Sequence, residues 1–134
     1  MNRDITIYLC SERNNTKPFD TVQSKVLDHF SLITNINFIF NDFKFKCKDI
    51  TDKEYLKNKI NNLKKSDVML FNFEQNKNEY CYDLMYFSSI LKKPVIGWCN
   101  NMEEVSDDKM RDILVDTCFD SLDKALDHIS LNYI

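Results

Sequence analysis

Asp67-Val68-Met69-Leu70-Phe71-Asn72-Phe73 is the stretch that decides the fold. An almost unbroken apolar run of strand length suits a β-strand covered on both faces, and strands of that kind belong to parallel sheets. Just upstream, Thr51-x-x-Glu54 has the form of a capping box, so a helix opens there. Leu56, Ile60 and Leu63 give that helix a narrow apolar stripe. Just downstream, residues 78–92 read as a helix that is apolar nearly all round. Tyr80, Tyr82, Leu84, Met85, Tyr86, Phe87, Ile90 and Leu91 do not fit one face. Such a helix is either deeply buried or faces another subunit. Pro94-Val95-Ile96-Gly97-Trp98-Cys99 is the next strand. A helix therefore stands on each side of a buried strand.

The same alternation extends outward. Ile5-Thr6-Ile7-Tyr8-Leu9-Cys10 is a first strand, closed by a polar loop from Ser11 to Thr16. Thr16 can cap a helix with Pro18 in its first turn, and Phe19, Val22, Val26, Phe30 and Ile33 form one face of it. Residues 36–40 are a second strand. Asn41-Asp42 breaks it, and Phe43 and Phe45, alternating with Lys44 and Lys46, suggest an extended edge segment. Toward the C-terminus, Ser106 can cap a short acidic helix through Val115, and Cys118-Phe119 is a last short strand. Ser121 caps a final helix with Leu122, Ala125, Leu126 and Ile129 inward. Strands alternating with helices predict a single-domain, three-layer α/β fold of the flavodoxin or Rossmann-like kind. Its parallel sheet has four or five strands, with helices on both faces. In such sheets ligands bind beyond the carboxyl ends of the strands. The loops at 11–16, 41–46, 73–83 and 99–103 are therefore the places for a site.

Composition narrows the function. The chain has 134 residues and a mass of 16.0 kDa, one domain's worth. Gly97 is the sole glycine, where ordinary usage would give roughly nine. Gly-rich dinucleotide and phosphate-binding loops are thereby excluded. Net charge is −3, which does not suit a globally basic nucleic-acid binder. Residues 44–65 carry eight Lys against three acids, and residues 103–127 nine acids against three basic residues. These runs read as solvated faces, or in the first case as a neighbour of a phosphate-bearing ligand. The five Cys show no metal-ligand spacing, and the two His are far apart in sequence. No apolar stretch is long enough to span a membrane, and no signal-peptide core opens the chain. A reduced, cytoplasmic protein without membrane or nucleic-acid partners is expected.

Among residues that carry chemistry, Asp83 stands first. It falls in the first turns of the apolar third helix, where a carboxylate either faces a cleft or is an ordinary helix-start acid. A partly buried carboxylate can act as nucleophile at a sugar carbon. Glu79, four residues earlier, could share that helix face and serve as a proton donor, or be a plain N-terminal acid. Tyr8, near the end of the first strand, either packs or hydrogen-bonds a carboxylate. Ser11 and Arg13 in the following loop can hold a phosphate or a sugar hydroxyl. Asn41 and Asp42 form a further substrate-binding cluster, or a turn.

Three segments together resemble the nucleoside 2-deoxyribosyltransferase-like family, including the related 2′-deoxynucleoside 5′-monophosphate N-glycosidases. Thr6-Ile7-Tyr8-Leu9-Cys10-Ser11 is similar to the family's opening strand with its active-site Tyr. Ser66-Asp67-Val68-Met69-Leu70 resembles its third strand. Asp83-Leu84-Met85-Tyr86-Phe87, followed by Lys92-Lys93-Pro94-Val95-Ile96, resembles its E-x-G-x-A…K-P-V-I helix and strand. Phe119-Asp120-Ser121-Leu122 is similar to its last strand and helix.

The resemblance implies that Asp83 is the nucleophile that attacks the sugar C1′ and expels the base. It implies that Tyr8 is the hydrogen-bonding partner of Asp83, and that Ser11 and Arg13 lie in the loop that binds a 5′-phosphate in the hydrolase branch. No metal or cofactor is needed for such chemistry. The chain departs from the pattern in several places. Asp83 replaces a Glu. Met85 and Phe87 replace a glycine and a small residue and can fill the pocket. Lys59 stands where the family tends to carry an acid, and the spacing from acid to Lys-Pro is one residue longer. Two alternatives follow: a non-catalytic nucleotide- or nucleoside-binding module of the same fold, and a TIR-like domain that cleaves nicotinamide dinucleotides. The apolar third helix further suggests a homo-oligomer.

Overall fold

The computed structural model describes residues 4–11, 21–33, 35–40, 53–73, 81–99 and 115–134. Five strands form one sheet: β1 (Ile5–Cys10), β2 (Ile36–Phe40), β3 (Val68–Asn72), β4 (Val95–Trp98) and β5 (Thr117–Phe119). Their order is β2-β1-β3-β4-β5, and every pair is parallel. The α-helices are α1 (Thr21–His29), α2 (Lys53–Lys65), α3 (Cys81–Met85) and α4 (Leu122–Tyr133). The three-layer α/β fold expected from the alternation is the one formed. This strand order reverses direction between β1 and β3, which is where doubly wound sheets open a crevice.

Strand alternation sorts the side chains into two cores. Ile7, Leu9, Val68, Leu70, Ile96 and Trp98 pack with Val26 and Phe30 of the α1 segment and with Leu122, Ala125, Leu126 and Ile129 of α4. Tyr8, Cys10, Met69, Phe71, Val95 and Cys99 pack on the opposite face with Leu63 of α2, with Leu84 of α3 and with Phe87. Ser121 caps α4 as expected, accepting from the Lys124 N–H at 3.2 Å.

The third helix departs from regularity. α3 passes directly into one π turn, Tyr86–Ile90, closed by the Leu91 N–H on the Tyr86 carbonyl at 3.0 Å. A π turn holds one more residue than an α turn between bonded groups. The π turn ends at Ile90 with Leu91 as its cap, and Lys92 just beyond lies in the left-handed region at φ 55°. The structure also resolves the all-round apolar pattern. Asp83, Leu84 and Phe87 are buried, whereas Tyr82, Met85 and Ile90 are exposed. Met85, which the sequence offered as able to fill a pocket, is half-exposed, while Phe87 is wholly inside the core.

The amino ends of the strands carry a repeated device. Asp67, one residue before β3, accepts the Thr6 N–H on Oδ2 at 2.9 Å and donates its own N–H to the Thr6 carbonyl at 2.8 Å. Asp116, one residue before β5, does the same to Val95, at 2.7 and 3.0 Å. Lys93 donates to the Ser66 carbonyl at 2.7 Å and to the Lys64 carbonyl, where the C-terminal end of α2 favours a cation. The lysine of the Lys-Pro-Val-Ile segment thus ties β4 to α2, and Asp67 of the third-strand segment sets a strand start. Both residues build the fold.

Candidate active site

Tyr8 projects from β1 into the core shared with α2 and α3. There its hydroxyl donates to Asp83 Oδ2 at 3.1 Å, a buried bond between residues 75 apart in sequence. Asp83 has no exposed surface and is the one buried charged residue among the described residues. It reaches this position because α3 follows β3 and starts beyond the carboxyl ends of the strands. Its third position then turns inward beside Leu84.

The other carboxylate oxygen meets α2. Lys59 Nζ lies 3.0 Å from Asp83 Oδ1, with only 13% of the lysine side chain exposed. The contact is an ion pair by distance and not an aligned hydrogen bond. A buried carboxylate is costly without a compensating charge, and an ammonium at this range supplies it. Lys59 is a site residue that the sequence reading placed only among departures from a family pattern. A signal was present. Lys59 is three residues after Leu56 and four before Leu63, so it shares the inward stripe of α2.

Ser11 and Asn72 stand at the carboxyl ends of the adjacent strands β1 and β3, at the point where the strand order reverses. Asn72 Nδ2 donates to Ser11 Oγ at 3.2 Å, and both side chains are buried. Ser11 was expected in a binding loop; Asn72 was not singled out. Arg13, Asn41, Asp42 and Glu79 lie outside the described residues. So do the Phe43–Phe45 edge segment, the Thr51 cap and residues 106–114 of the expected acidic helix; Val115, its expected end, is described and lies in no helix.

One further trio invites a catalytic reading and does not sustain it. His29 Nε2 is 3.1 Å from Ser130 Oγ and 3.7 Å from Asp127 Oδ1, joining α1 to α4. In a Ser-His-Asp relay the acid and the serine address opposite ring nitrogens. Here both face Nε2, and Asp127 is largely exposed. The trio is a surface link. No helix among the described residues is long and apolar enough to cross a membrane.

No protein-family model matches the chain, and no curated protein matches it.

Proposed function

We propose that the chain cleaves or transfers the N-glycosidic bond of a deoxynucleoside or its 5′-monophosphate, with Asp83 as the nucleophile. The observation that carries the reading is the Tyr8–Asp83 hydrogen bond at 3.1 Å. It joins the two positions to which the family resemblance assigns the nucleophile and its partner. In the reaction a carboxylate oxygen of Asp83 attacks C1′. The C1′–N bond breaks, and its electron pair leaves with the base, which takes up a proton. A water or a second base then attacks C1′ and frees the carboxylate, and the proton it gives up to solvent balances the one the departing base took from it. Tyr8 holds the other oxygen through its hydroxyl, which limits rotation of the carboxylate during attack. Reach at a reacting carbon matters on the ångström scale.

A second reading is a non-catalytic nucleotide- or nucleoside-binding module. The full burial of Asp83, with one oxygen at Tyr8 and the other at Lys59, favours it. The discriminating experiment is chromatographic detection of free base. Deoxynucleosides and their 5′-monophosphates are incubated with and without an acceptor base, with a nicotinamide dinucleotide as control. Base release that disappears in Asp83→Ala and falls roughly a hundredfold in Tyr8→Phe is the expected result. Turnover that survives in Asp83→Ala removes the nucleophile. Binding by calorimetry without turnover selects the module.

The exposed Tyr82, Met85 and Ile90 on the outer side of the same helix support self-association through that face. Sedimentation equilibrium of the wild type against Met85→Lys tests it. An unchanged mass would remove this face as the contact.

A further inference from the structure

Two features that are each unfavourable alone meet in one place. Lys59 occupies the inward stripe of α2, between Leu56 and Leu63, where an apolar side chain would normally stand. Asp83 occupies a site with no exposure, beside Leu84 and near Phe87 in a core that also holds Leu63 and Met69. They come from different helices, and their charged atoms lie 3.0 Å apart. The topology brings this about. α2 runs back against the direction of the strands, so residues early in α2 lie nearer the carboxyl ends, where α3 begins.

We propose that Lys59 is a positioning residue for Asp83. Its ammonium keeps the buried carboxylate in the charged form that nucleophilic attack requires. With Tyr8 on the other oxygen, it also fixes the orientation of the carboxylate plane. Among the described residues, Tyr8 faces Asp83 from β1 and Lys59 faces it from α2. Lys59 acts through Asp83, at the carboxylate oxygen that Tyr8 does not hold. The catalytic half of this inference rests on the proposed glycosidic chemistry; the structural half does not.

The test uses the full chain in five forms: wild type, Lys59→Met, Lys59→Arg, Asp83→Asn and the Lys59→Met/Asp83→Asn double variant. Urea midpoints are read for all five. The expected result is non-additive: Lys59→Met lowers the midpoint, and adding Asp83→Asn raises it again, because the uncompensated charge is gone. Additive shifts would overturn the pairing. Base release is measured on the wild type and the two single Lys59 variants. In Lys59→Met, kcat should fall roughly a hundredfold while KM stays within about threefold, and Lys59→Arg should recover most of kcat. A kcat that is unchanged or higher in Lys59→Met would overturn the positioning role. Should Lys59→Met fail to fold, Lys59→Gln takes its place in both measurements. If the wild type releases no base, the proposed function fails, and the urea series still decides whether Lys59 serves Asp83.

Discussion

On one face of the sheet, Ile7, Leu9, Val68, Leu70, Ile96 and Trp98 meet α1 and α4 in an apolar core with regular helices. On the other face, Tyr8, Cys10, Met69, Phe71, Val95 and Cys99 meet α2, α3 and the π turn, and there the charged pair of Asp83 and Lys59 is enclosed. The same five strands supply both faces by alternation. The first face is built for burial alone. The second gives up part of that gain to hold a carboxylate in place, and it carries the one helical irregularity among the described residues. Irregular helical turns and buried charges are where folds depart from their most stable packing, and such departures gather at sites of function.

The largest effect that sharpens this contrast is Phe30→Ala. Phe30 is buried against the sheet and beside Phe38, with ring centroids 5.9 Å apart. Its truncation should cost about 3–5 kcal/mol in urea denaturation. Base release per folded molecule should stay at the wild-type level. A change in that rate would show that the two faces are coupled.

Gly97→Ala comes next. A Cβ there would lie 2.7 Å from Phe73 Cε2 and 3.5 Å from Cys118 Sγ, on the face that holds the site. The Phe73 ring must move, and it already packs against Phe71 at 4.5 Å between centroids. The expected loss is about 1–3 kcal/mol. Base release should fall with it, since this packing adjoins Tyr8. Stability lost at an unchanged rate would separate the site from the packing around it.

The smallest effect is at Asp120, on the exposed surface before α4. A hydrogen bond from Lys124 holds its carboxyl below the ordinary Asp value, with the nearby charge adding to this and slight burial opposing it. Because the folded value is the lower one, the stabilisation is present above the ordinary Asp range. It is lost as pH falls through the folded value. Asp120→Asn should therefore produce a small drop in thermal midpoint at neutral pH, which salt and acid both erase. A large drop would give this surface pair a role its exposure does not support.

How far the sequence revealed these features depended on whether they left a periodic trace. Strands β1 to β4 were legible because each is a short apolar run bounded by polar residues. The inward face of α4 was legible from Leu122, Ala125, Leu126 and Ile129, all of which are buried. The pairing of Tyr8 with Asp83 followed from resemblance; no spacing rule links positions 75 apart. Lys59 was missed because it sits in a lysine-rich run, and such runs ordinarily face water. The π turn has no composition of its own. It left no periodic trace among the apolar residues of the segment.

The twin carboxylates at the amino ends of the sheet reach further than their position suggests. Parallel strands are joined by long crossovers, so no tight hairpin fixes how far one has slid along its neighbour. Asp67 does this for β1 and β3 by gripping Thr6 with both its carboxylate and its own N–H. A slip of one residue would turn every side chain of β1 over, and Tyr8 would exchange cores with Ile7 or Leu9. The meeting of Tyr8 with Asp83 at the carboxyl end is therefore aligned from the opposite end of the strand, as the first tooth engaged in a zip aligns all that follow.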